Sequence, residues 1–293
     1  MNRIFLVSLT NISVLSIISI ISCLFGIHFN KLTKVIISTF LFGFGGAFVS
    51  LLFSKRISMF STGSKIIVNP KNKSEKWILK IIKKQSSKLK LKTPETAIYQ
   101  SDNINAFATG PTKNSSLISV SSGLLKKMPK NEIKAVIAHE MTHISNGDMV
   151  TMTLIQGTVN TFVIFLSKII IYFLSNIYLK DKKKINFLKK KSITRTIFSF
   201  FLQTMFGIFS SIVVMWFSRN REFYADAGSA KLVGRKNMIA ALKKLKLNSK
   251  KIVEPKNISS LCIDNNYNPF LNLLKSHPPL DSRIDALNKK KYM

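Results

Sequence analysis

Two histidines and a glutamate on one stretch of chain carry the clearest chemistry in this sequence. His139, Glu140 and His143 lie in NEIKAVIAHEMTHISN (131–146). This is the His-Glu-x-x-His pattern, in which two imidazoles one helical turn apart reach one zinc ion and the intervening carboxylate polarises a water. The stretch has helical periodicity, with Ile133, Val136, Ile137 and Met141 apolar and Gly147 placed as a C-terminal stop. The chain has four histidines, and two fall in this motif among apolar residues, which favours a metal site over two incidental side chains. A catalytic zinc needs a third protein ligand and a position left for water. Acidic residues number thirteen. Glu222 and Asp226, four residues apart on one helix face, are the candidates: one can bind metal while the other orients a ligand histidine. The plainer alternative is an exposed helix on which Arg219 and Arg221 are local ion partners. His277 is a candidate oxyanion donor or simply a turn residue before Pro278-Pro279, and Arg283 can pair with Asp148 or Asp226.

The elements that must position these groups are segregated into grease and charge. Mean hydropathy is positive although the net charge is +32, which points to an integral membrane protein. Four hydrophobic segments, 4–27, 35–53, 152–178 and 197–217, are long enough to cross about 30 Å of hydrocarbon. Arg3, Lys55 and Arg56 place both ends of the first pair on the cytoplasmic side. The link 180–195 carries Lys180, Lys182, Lys183, Lys184, Lys189, Lys190, Lys191 and Arg195. The same rule would make that link cytoplasmic too, which conflicts with two further full spans. Lys168 sits near the middle of the third segment, at a cost of roughly 2.5 to 3.5 kcal/mol on insertion scales. The expected organisation is a membrane hairpin (1–53), the first part of a soluble domain with the histidine helix (54–150), a second hydrophobic hairpin (151–217), and a second soluble part with the third ligand (218–293). Between them, Trp77, Ile78, Ile81, Ile82 and Leu89 predict a helix, and 97–99, 106–108 and 117–120 predict short strands. The fold class is mainly α with a small β-sheet. With 38 Lys against seven Arg, scattered rather than grouped on one module, no nucleic-acid partner is expected; a lipid bilayer is. Cys23 and Cys262 make neither a disulfide framework nor a Cys-rich zinc site.

At these residues the chain resembles a known family. His139-Glu-Met-Thr-His143, Asn146-Gly-Asp148, Arg219-x-Arg-Glu-Phe-x-Ala-Asp226 and His277-Pro-Pro-Leu-x-x-Arg283-Ile, in that order and with paired apolar segments, look like the HtpX family. These are bacterial membrane metalloproteases linked to heat shock and envelope quality control, with a catalytic core similar to that of the CAAX prenyl proteases. The resemblance covers essentially the whole chain. It implies a gluzincin-type domain with one Zn2+ held by His139, His143 and Glu222, and Glu140 as general base. It also implies a multi-pass protein of the bacterial inner membrane whose catalytic domain faces the cytoplasm. The implied function is that of a zinc metalloendopeptidase cleaving misfolded, unfolded or damaged membrane proteins in a stress response. Asn105-Ala-Phe-Ala-Thr-Gly110 also matches, and Asn105, Ala106, Phe107 and Ala108 are expected to hold extended substrate by main-chain pairing. The rival reading is an inactive zinc-binding membrane scaffold. Structural zinc normally takes four protein ligands, and the absence of a nearby Cys leaves a fourth hard to name.

Overall fold

In a computed structural model, residues 29–179, 192–252 and 277–292 are described. The expected segment 4–27 and most of the basic link lie outside them. In chain order the elements are α1 (Phe29–Leu52), α2 (Ser54–Thr62), β1 (Lys65–Ile66), α3 (Lys73–Lys88), β2 (Glu95–Tyr99), β3 (Ala106–Thr112), β4 (Ser115–Ser121), α4 (Ser122–Lys127), α5 (Lys130–Asn146), α6 (Asp148–Leu179), α7 (Ser192–Val233), α8 (Arg235–Ile252) and α9 (Leu280–Asn288). The chain divides into two units, Met1–Ser50 with Thr151–Val214, and Leu51–Val150 with Met215–Met293.

The first unit holds the apolar helices. Among the described residues, Asp148–Leu174 and Ile197–Val233 are long and apolar enough to cross a membrane, and a third span is reached if Ile36–Leu52 and α2 are taken together despite a 63° bend between them. Of the four expected segments, 4–27 lies outside the described residues; the other three fall on the bent pair and on these two helices. Here α1 and α6 approach closely: a Cβ on Gly43 would come within 2.6 Å of the Thr161 backbone nitrogen, the small-residue contact that lets apolar helices pack without a hydrophobic drive. Lys168 is accommodated by donating to Ser38 Oγ at 2.8 Å.

The second unit is built on a four-stranded sheet in the order β1-β2-β4-β3. β2 runs parallel to β4, and β1 and β3 are antiparallel to their neighbours. Ile78 and Ile82 of α3, Ile118 and Val120 of β4, Ile133, Ile137 and Met141 of α5, and Met238 and Leu242 of α8 share one core. The helical spacing of these side chains turns one stripe of each helix inward. α3 starts where its sequence supplies a capping box: Asn72 accepts from the Glu75 N–H at 2.8 Å, and Glu75 accepts from the Lys71 N–H at 2.6 Å. α5 stops at Gly147, which is left-handed (φ 70°, ψ 35°) and returns its N–H to His143 and Ile144 carbonyls. Two features differ from the sequence reading. The two-residue β1 and the short α2 are not among the elements expected, and α7 does not end with its apolar run at 217 but continues as one helix to Val233.

Candidate metal centre

His139 and His143 point from one face of α5, and α7 delivers Glu222 opposite them. His139 Nε2 and His143 Nε2 lie 3.1 Å apart. Glu222 Oε2 is 3.5 Å from the first and Oε1 is 3.4 Å from the second. Bonds of about 2.0–2.1 Å at tetrahedral angles separate ligand atoms by about 3.3 Å, so the two Nε2 atoms stand near the spacing of two zinc ligands, with one Glu222 oxygen within 3.5 Å of each. Among the described residues this is the group able to hold a metal ion.

Each imidazole is held from behind by a carboxylate. His139 Nδ1 lies 2.9 Å from Asp226 Oδ1, and His143 Nδ1 lies 2.6 Å from Asp148 Oδ2. A carboxylate accepts, so the bond to Asp148 puts the proton of His143 on Nδ1 and leaves its Nε2 lone pair for metal; Asp226 stands in the same place behind His139. The two carboxylates are themselves gripped by arginines. Arg283 donates from Nε and Nη2 to Asp226 at 2.7 and 2.6 Å, and Arg221 pairs with Asp148. Arg283 Nη1 also reaches Glu222 Oε2 at 3.0 Å. Of the two partners open to Arg283 in the sequence, the structure places it on Asp226. His277 sits with Nδ1 2.9 Å from Glu222 Oε2 and its side chain 65% exposed.

Burial sets the charges. It pushes the Glu140 carboxyl above the usual range. It opposes protonation of His139, but Asp226 and Glu222 outweigh it and lift that imidazole. Arg283 is buried too, yet Asp226 holds its proton more firmly than usual.

The approach of α7 to α5 depends on small residues. Glu222, Asp226 and Ser229 share a face, and Ser229 Oγ donates to the Ala135 carbonyl at 2.7 Å. At Gly228 a Cβ would meet Thr142 Oγ1 at 2.7 Å, so glycine is what lets the helices close. β3 carries Ala106, Phe107 and Ala108 at the sheet edge, in register with Val120, Ser119 and Ile118, and packs against α5. Asn105 precedes it, its N–H bonded to Ser121 Oγ at 3.1 Å. The strand bulges at Gly110 (φ 144°), where a Cβ would lie 2.7 Å from Ser116 Cα.

Asp148 and Arg221 are the members of the centre that sequence reasoning did not assign. Asp148 follows the helix stop, five residues from His143 and off its helical face; the sequence offered it as a partner for Arg283 and in the Asn146-Gly-Asp148 motif, not as the group behind His143.

A family model described as Peptidase family M48 matches residues 72–291. The chain is 50% identical over 293 residues to Protease HtpX of Buchnera aphidicola subsp. Baizongia pistaciae, covering all of both chains. To Protease HtpX of Wigglesworthia glossinidia brevipalpis it is 51% identical over 294 residues, covering all of this chain and 99% of that one. The crystal structure of S. mikatae Ste24p matches at a TM-score of 0.57 and 20% identity, over 94% of this chain. This chain spans 61% of that longer one, and the likeness is one of fold.

Proposed function

We propose that this chain, which belongs to peptidase family M48 and is a membrane-bound metalloprotease of the HtpX kind, holds one zinc ion with His139, His143 and Glu222 and cleaves unfolded or damaged membrane proteins. The observation that carries the choice of zinc is the convergence of two Nε2 atoms and a carboxylate, with an aspartate behind each Nδ1 atom. Bound there, zinc would supply Lewis acidity, lowering the pKa of a water from about 15.7 toward 7 and polarising the scissile carbonyl. Glu140, between the two histidines, takes a proton from the attacking water and hands it to the leaving amine. His277, with Nδ1 2.9 Å from Glu222 Oε2, is the side chain we assign to the oxyanion of the tetrahedral intermediate. Asn105, Ala106, Phe107 and Ala108 offer a sheet edge to an extended chain, which favours loose specificity. Three ligands rather than four, with a carboxylate beside them, support catalysis over a structural zinc scaffold.

Leu51–Val150 and Met215–Met293 fold as one unit, so both lie on one side of the bilayer, which we assign to the cytoplasmic side of a bacterial inner membrane. Glu140→Ala tests the chemistry: it is expected to keep stoichiometric zinc and lose peptide cleavage, and a variant that lost its zinc would make Glu140 a ligand instead. Sidedness is read by cysteines at Lys80 and Lys236 in a chain with Cys23 and Cys262 replaced. Both should resist an impermeant label applied outside intact cells, and labelling of either one sinks the cytoplasmic assignment.

A further inference from the structure

The nine residues of α2, Ser54 to Thr62, have no part in the metal centre and expose an apolar face. Phe53, Ile57 and Phe60 follow one another at i, i+4 and i+7, with exposures of 47%, 53% and 93%; Arg56 is exposed on the same face. An almost wholly exposed phenylalanine on a short helix, with an arginine one turn before it, needs a partner that is both apolar and anionic. The position of α2 in the chain says which. It starts two residues after α1, an apolar helix of 24 residues, about 36 Å at 1.5 Å per residue, and the path bends by 63° between them. It does not continue as part of the span: only Ile57, Met59 and Phe60 of its nine residues are apolar, and Lys55 and Arg56 would each cost roughly 2.5 to 3.5 kcal/mol at mid-membrane.

We propose that α2 lies in the plane of the bilayer surface, with Ile57 and Phe60 inserted among acyl chains and Arg56 against lipid phosphates. Interfacial helices with this division of residues bury their apolar face about 5–10 Å deep. The opposite side of α2 belongs to the catalytic unit: Lys55 pairs with Glu95 of β2 at 2.5 Å, and the helix packs against β3. The helix thus ties the sheet to the lipid surface. On the reading of β3 as the substrate strand, extended segments emerging from the membrane plane are the substrates best placed to reach it.

The test uses the full chain, with Cys23 and Cys262 replaced, in nanodiscs of mixed phosphatidylglycerol and phosphatidylethanolamine. Single cysteines at Ile57, Ser58, Phe60 and Thr62 are labelled with an environment-sensitive fluorophore and challenged with shallow doxyl lipid or aqueous iodide. Labels at 57 and 60 should be quenched several-fold more by lipid than labels at 58 and 62, which face the catalytic unit, and hardly at all by iodide. Iodide quenching alone at 57 and 60 would leave α2 in water, and protection from both quenchers would mean that protein covers the face; either result overturns the proposal. The readout needs no peptide cleavage, so it stands or falls apart from the assignment of β3.

Discussion

The two supports behind the histidines of the proposed metal site have the same parts and different reach. On one side His139, Asp226 and Arg283 have side chains 9%, 2% and 7% exposed; on the other, His143, Asp148 and Arg221 are 16%, 9% and 14% exposed. The first arm is drier, and its arginine does a second job: Arg283 touches both Asp226 and Glu222. Two of the three side chains of the proposed site therefore hang on Arg283, and one on Arg221. The difference teaches that a symmetric-looking motif is held asymmetrically, with most of the restraint in the arm that closes last in sequence.

Removing a donor should have the largest effect. Glu222→Ala is expected to lower zinc affinity by orders of magnitude, read by competition with a chromogenic chelator; normal affinity would move the third ligand to Asp226. Next come the supports, whose loss typically costs about 10 to 100-fold in metal affinity. Asp226→Ala should fall near 100-fold and Asp148→Ala near 10-fold, because the first also strands Arg283 in a dry site. Equal losses would erase the asymmetry. Among the arginines, Arg283→Ala should cost more affinity than Arg221→Ala, and removal of a partner from a buried pair carries a stability cost on the order of 3–5 kcal/mol, visible as a lower midpoint in denaturant. The smallest effect is expected at the helix contact that serves both arms. Gly228→Ala should destabilise by about 1–3 kcal/mol through overpacking against Thr142, with part of the loss restored by Thr142→Ala in a double-mutant cycle.

The parts of the second unit that repeat were legible in the sequence. Ile133, Val136, Ile137 and Met141 are all buried, and Ile78, Ile81 and Ile82 turn the same way, because a helix writes its buried face at a spacing that survives in one dimension. Strands β2, β3 and β4 showed as short apolar runs, whereas β1, two residues paired to Ile98 and Ala97, is too short to have a pattern. The proposed metal-binding trio rested on a motif and a resemblance, and the choice between Glu222 and Asp226 is one that spacing alone leaves open: both occupy one face of α7, and only the third dimension puts one against Nε2 atoms and the other against Nδ1. Asp148 and Arg221 escaped for the same reason. Their pairing joins the start of α6 to the middle of α7, more than seventy residues away, and no local rule connects them. The apolar run ending at 217 marked a boundary in composition that the backbone of α7 ignores.

Arg283 lies 57 positions after its partner Asp226. At synthesis rates of about 5–20 residues per second, that interval takes roughly 3 to 11 s. During that interval Glu222 and Asp226 have been synthesised and the cation that pairs with them has not. The ribosome therefore makes the histidine helix long before it makes the arginine that braces it, and a chain stopped before Arg283 would keep the His-Glu-x-x-His motif while losing the contacts to Glu222 and Asp226.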